Sequence, residues 1–145
     1  KKIFFLIILL VIAMPSFASD WVKLDEKNYI DKNNIEQYKT GYNIIKSEQY
    51  SFWIKSLNDK SARFNDLEKS LKKKILYNME NYVVDCNNKS IATNQIITYG
   101  LQNEVLDQYE APYLNYTKVV PDSNGELWYY ILCKPQQIIK KYAED

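Results

Sequence analysis

The chain has 145 residues, 46% of them hydrophobic and 14% aromatic, which suffices for one compact domain with a sizeable core. Three Gly and four Pro exclude a fibrous or low-complexity protein, and a formal charge of +1 from 19 basic and 18 acidic groups gives no electrostatic reason for a nucleic-acid partner. There is no His, so the side chain that most often moves protons near neutral pH is missing.

Residues 1–18 read as a secretory signal peptide. Lys1 and Lys2 form its positive end and the stretch 3–13 its apolar core; Ser16 and Ala18 put small residues at the −3 and −1 positions of a cleavage site. An uncleaved anchor is the alternative, but the apolar stretch is short for a span. No Cys follows the leader, so lipid attachment is not expected. Loss of Lys1 and Lys2 with the leader leaves seventeen basic against eighteen acidic groups, a charge of −1 on the exported domain.

In chain order, residues 21–24 alternate apolar and polar as a short half-buried strand, and 28–31 as a second, with 25–27 as the turn. The polar stretch 31–36 reads as one helical turn or a loop with Ile35 as a buried peg, and Gly41 marks another turn. The run 42–57 is the longest strand. Tyr50, Phe52 and Ile54 share one parity while Trp53 and Leu57 share the other, as expected of a central strand packed on both sides.

In the charged stretch 58–74, Phe64, Leu67 and Leu71 recur at helical spacing, with acids early and lysines late, so an amphipathic helix is expected over about 62–73. The Lys run 72–74 reads as a solvated helix end. Residues 77–85 form a strand whose apolar parity slips near Glu80 and Asn81, the mark of a bulge. Residues 90–99 return as a strand and 104–109 follow as the next. The stretch 113–120 is loop or edge strand, with Tyr113 and Tyr116 the aromatics expected at the surface; Trp21, Trp53 and Trp128 are expected in the core.

The C-terminal stretch 121–133 carries two readings. Ser123 and Glu126 have the Ser-x-x-Glu spacing of a capping box, and Pro121 and Pro135 bracket about three turns of helix that is apolar nearly all round. Asn124-Gly125 followed by aromatic residues is equally a hairpin signal. Two cysteines in an exported domain read as one disulfide, Cys86 to Cys133, with two free thiols as the alternative. Residues 138–145 are a polar tail, which leaves 19–137 as one domain. Short turns between consecutive strands imply an antiparallel meander.

The chain resembles the surface-adhesin protein E family of Gram-negative exported proteins. The likeness rests on Trp21-Val22-Lys23, Ile30-Asp31 with Ile35 behind it, Trp53 at the end of a long strand, Val84-Asp85-Cys86, Tyr99-Gly100, and Val120-Pro121-Asp122-Ser123 running to Cys133. It implies an α+β fold: an antiparallel sheet of about six strands, with a C-terminal helix packed on one face and tethered by the Cys86–Cys133 bond. It also implies a non-enzymatic binding module, periplasmic or displayed at the surface, whose partner is a host matrix or serum protein or an envelope protein, and which forms dimers. The charged stretch 58–74 and the missing lipidation Cys depart from the family. A periplasmic inhibitor or immunity protein, with 58–74 as the plug of an enzyme cleft, is the second functional reading.

No catalytic, cofactor-binding or metal-binding set is expected. A disulfide removes Cys86 as a nucleophile, and Ser123 is accounted for as a helix cap.

Overall fold

The computed structural model describes residues 19–39 and 45–135. The expected leader 1–18, the turn at Gly41 and the tail 138–145 lie outside these residues.

The first hairpin joins β1 (Trp21–Lys23) to β2 (Asn28–Asp31), with Trp21 opposite Asp31. Asp25 closes its turn by accepting from the amides of Lys27 and Asn28. A 3-10 turn, Lys32–Asn34, follows, with Asp31 accepting from the Asn33 amide. Next comes β3 (Glu36–Lys39), a strand that its polar sequence did not announce. The 13-residue β4 (Ile45–Leu57) takes β2 and β3 along the same edge, Ile30 opposite Ile54 and Glu36 opposite Ser51. Helix α1 (Ala62–Leu71) connects β4 to β5 (Ile75–Asp85).

β6 (Ser90–Gly100) pairs β5 along its length, then shares its other edge between β7 (Val105–Glu110) and β8 (Thr117–Lys118). The main path is six antiparallel strands, β1-β2-β4-β5-β6-β7, with β3 and β8 beside it. A bulge does lie beside Glu80 and Asn81, but its extra residue sits on the partner strand, so β5 keeps its alternation there. Asn81 faces Gln95 and Tyr82 faces Thr93, which leaves Asn94 as the bulged residue on β6.

The helix reading of the C-terminal stretch holds: α2 spans Asn124–Cys133. Ser123 is extended (φ −101°, ψ 162°), as an N-cap requires, and its hydroxyl accepts from the Glu126 amide at 3.3 Å. Trp128 and Tyr129 are buried, and burying them on the sheet is what decides against a hairpin, which would leave half of these side chains facing water.

Both helices lie on one face of the sheet. Tyr50, Phe52 and Ile54 of β4 and Glu80, Tyr82 and Val84 of β5 stand side by side on it. α2 covers the Val84 end, with the Trp128 ring edge-on to Phe52 at 5.9 Å and tilted on Tyr82 at 4.7 Å. α1 covers the Glu80 end, where Arg63 reaches the Glu80 carboxylate. Phe52, Ile54 and Val84 are fully buried in the core between α2 and the sheet. The Cys86–Cys133 disulfide closes the far end of α2 onto the end of β5, with Cα atoms 5.5 Å apart.

Candidate interaction surface

Alternation along β4 and β5 sends every second side chain to the face that carries neither helix. Three cross-strand rows cross it. Leu57, Tyr77, Tyr99 and Val105 form the first; Lys55, Met79, Ile97 and Gln108 the second; Trp53, Asn81 and Gln95 the third.

The two halves of this face differ. Toward Asp85 it is closed: Val83 and Ala92 are buried, and Tyr116 lies over Gln49, donating its hydroxyl to Oε1 at 3.2 Å. Toward Tyr77 it is more open: Trp53, Tyr77, Met79, Ile97 and Tyr99 are half-buried, each with part of its surface reaching solvent, and Val105 is 56% exposed. Scattered exposed apolar residues are ordinary, but a contiguous set of aromatic and long apolar side chains on a rigid sheet is what protein interfaces use.

The open half is preorganised. The Tyr77 and Tyr99 rings stack at 4.8 Å, 23° from parallel, and Lys55 holds its ammonium 4.2 Å over the Tyr77 ring. Partial burial and the neighbouring Tyr99 push the Tyr77 phenol above its ordinary value, so its hydroxyl stays a protonated donor at neutral pH. Beneath Trp53 runs a hydrogen-bonded polar seam. Asn81 donates to Ser51 Oγ at 3.0 Å and to the Phe52 carbonyl at 3.1 Å, and its Oδ1 accepts from the bulged Asn94 at 2.8 Å. The seam fixes the register and leaves no orphaned polar atom under the apolar patch.

Two sequence expectations are corrected here. Trp53, assigned to the core, stands on the open face, because the Phe52 parity took the helix side. Tyr116, expected at the surface, is half buried, and its phenol is pushed up to about 12 by burial and by the nearby Tyr38 and Asp85. Tyr113 is 75% exposed, as expected.

Ser123 and Glu126 meet at the start of α2 and Cys86 and Cys133 at its end, on the opposite side of the sheet from the open patch. The Glu126 carboxylate accepts from the Asp122 amide at 2.9 Å and from Lys89 Nζ at 3.1 Å, which carries the cap onto the β5–β6 turn. The Lys-rich end of α1 is anchored through Glu68, which takes Lys74 Nζ at 2.8 Å, the Ile75 amide at 2.9 Å and Asn58 Nδ2 at 3.1 Å. Hydrogen bonds from Lys74 and the Ile75 amide hold that carboxyl below the usual range.

Sequence reading missed the group beneath α1, where Glu80 binds both Arg63 and the Tyr82 hydroxyl. A charged residue at an inward position of a strand, 17 positions after an Arg on an amphipathic helix, was its only signal. Among the described residues no cluster of three or more acidic or Cys side chains has the arrangement of a metal site. No described helix is long and apolar enough to cross a membrane.

No family model matches the chain, and no curated protein does. Solved structures do. Protein E of Haemophilus influenzae in its second crystal form superposes with a TM-score of 0.54 at 14% identity, over 79% of this chain and 87% of that one. The selenomethionine form of the same protein gives a TM-score of 0.50 at 12% identity, over 78% and 84%. At such identities the likeness concerns the fold, and at that level the resemblance read from the short motifs is borne out: this chain has the protein E fold, an antiparallel sheet with a disulfide-tethered C-terminal helix.

Proposed function

We propose that this chain is an exported, non-enzymatic binding module that engages a protein partner through the open half of its second sheet face. The observation that carries the reading is the contiguous patch of Trp53, Tyr77, Met79, Ile97 and Tyr99 on a face that neither helix covers. The disulfide suits an oxidising compartment, the periplasm or the cell exterior, in line with the leader expected at 1–18. The protein E fold supports a place among adhesin-like proteins, and the resemblance makes host matrix or serum proteins, envelope proteins and a second copy of the chain the partners to test. The inhibitor reading finds less support, because the stretch 58–74 is a helix tied to the sheet through Arg63 and Glu68 instead of a projecting plug.

The test is saturable binding of the oxidised exported protein to immobilised vitronectin, laminin and envelope extract, with sedimentation for self-association. The comparison is a Trp53→Ser, Tyr99→Ser double variant whose fold is checked by circular dichroism. Binding by the parent that the folded variant loses supports the reading. A parent that neither binds nor self-associates refutes it, and a variant that binds like the parent moves the surface elsewhere.

A further inference from the structure

A cleft of about 410 Å³ opens between α1 and the β5–β7 end of the sheet, on the face opposite the aromatic patch. Its volume lies within the ~300–1,000 Å³ of small-molecule sites. One wall is a single helix face, Arg63, Asp66, Leu67 and Ser70, at the i, i+3, i+4, i+7 spacing. The floor is two cross-strand rows. Asn78, Thr98 and Asp107 stand opposite one another on β5, β6 and β7, and Ile96 and Tyr109 stand in the row beside them.

The decisive feature is Asn78. It is 1% exposed, lines the cleft, and neither its Oδ1 nor its Nδ2 has a hydrogen-bond partner. Buried amides are nearly always paired, because burial without a partner forfeits the hydrogen bonds that water supplies. Every other strongly buried side-chain polar atom among the described residues is satisfied, so the exception marks a place where an outside group completes the set.

The surroundings define that group. It must present a donor and an acceptor side by side, to meet Oδ1 and Nδ2 together. Adjacent hydroxyls do this, one donating and its neighbour accepting, whereas a peptide amide points its N–H and C=O in opposite directions. Asp107 offers a carboxylate acceptor for a further hydroxyl. Tyr109, 50% exposed at the rim, offers a ring face for the C–H side of a sugar. Of the charged groups in the lining, Arg63 is tied to Glu80 and Asp66 is paired with Lys69 at 3.6 Å, so the carboxylate left facing the cleft is Asp107, which disfavours an anion.

We propose that this cleft is a saccharide-binding site that takes the vicinal diol of a neutral hexopyranose on Asn78, with the ring laid against Tyr109. The site is on a different face from the proposed protein-binding surface, so either reading stands if the other fails.

The experiment is amide NMR titration of the oxidised exported protein with methyl mannopyranoside, methyl galactopyranoside, methyl glucopyranoside and glucuronate. Saturable shifts centred on Asn78, Thr98 and Asp107 are expected with at least one neutral hexoside, in the ~1 mM range that a few hydrogen bonds and one stacked ring give. Glucuronate should bind about tenfold more weakly or not at all.

Asn78→Leu should abolish the shifts while leaving Tm unchanged or higher, since an apolar group of similar size replaces an orphaned amide. Tyr109→Ala, at an exposed position, should weaken binding severalfold with an unchanged fold. No localised shift with any hexoside at about 10 mM, ten times the expected dissociation constant, overturns the proposal. So do shifts that survive both substitutions, a Tm that falls steeply on Asn78→Leu, or glucuronate binding as tightly as the neutral sugars.

Discussion

Arg63 on α1 donates from Nη2 to Oε1 of Glu80 on β5 at 2.6 Å, and the Tyr82 hydroxyl donates to the other carboxylate oxygen. Because Tyr82 also packs on Trp128, a line of contacts runs from one helix to the other across the sheet face: Arg63, Glu80, Tyr82, Trp128. The Glu80 side chain is 2% exposed and that of Arg63 55%. A buried carboxylate held by a half-exposed guanidinium is the pin that seats α1.

Arg63→Ala should therefore destabilise the protein by about 1–3 kcal/mol, less than the ~3–5 of a fully buried pair, because water reaches the guanidinium side. Urea unfolding measures it. Glu80→Gln combined with Arg63→Ala should cost less than the two single changes added together, since the first removes the charge that the second strands. A neutral Arg63→Ala would mean that α1 is held by Phe64 and Glu68 alone.

The disulfide joins residues 47 positions apart, so its loss frees a long loop in the unfolded chain. In the chain-entropy picture that costs about 4 kcal/mol. Cys86→Ser and Cys133→Ser should each show most of this loss, and the double variant no more than either alone, because both remove one bond. Additive losses in denaturant titrations would show that each sulfur contributes by packing instead.

The sequence disclosed those parts of the fold where one physical signal acted alone. Tyr50, Phe52 and Ile54 share one parity and Trp53 and Leu57 the other, so β4 was legible. Phe64, Leu67 and Leu71 repeat at helical spacing, so α1 was legible within two residues of its end. β3 was not, because Glu36, Gln37 and Lys39 carry no apolar alternation and the strand exists through its backbone pairing to β4. Trp53 was misassigned for a related reason. Parity separates two faces but does not say which one a helix covers; that depends on where the disulfide and the α2 aromatics land. The cleft residues Asn78, Thr98 and Asp107 are far apart in sequence and meet only through strand register, so no local motif could have announced them.

Ser123 does two things at the start of α2: its hydroxyl accepts from the Glu126 amide and donates to the Val120 carbonyl at 2.6 Å. It thereby closes the helix onto the bend that Asp122 makes with a φ of 57°. Ser123→Ala should cost about 1 kcal/mol, and Ser123→Asp, which keeps the acceptor and favours the helix dipole, should restore most of it. If thermal unfolding places Ala and Asp level, the cap does not hold this helix.

Asp85 sets the acid limit of the fold. Its carboxylate is buried at the end of β5, beside the disulfide. It accepts from the Asn88 amide at 3.0 Å, from Asn88 Nδ2 at 2.9 Å and from Gln49 Nε2 at 2.9 Å. Burial alone would raise its pKa, but the hydrogen bonds from Asn88 and Gln49 outweigh burial and hold it below the ordinary carboxylate value. A carboxyl whose folded value lies below its unfolded one gives stability that is complete above the unfolded value. That stability is lost as pH falls through the folded value.

Asp85→Asn, which presents an amide where three donors converge, should cost about 1–3 kcal/mol at pH 7. The gap to the parent should close as pH drops below about 4, where the parent carboxylate takes up its proton. Because Asp25, Asp59 and Glu68 are also held low, the parent profile alone does not isolate Asp85; the difference between parent and variant does. A difference that stays constant from pH 7 to about pH 2 would show that the Asp85 hydrogen bonds survive protonation and that acid unfolds the protein elsewhere.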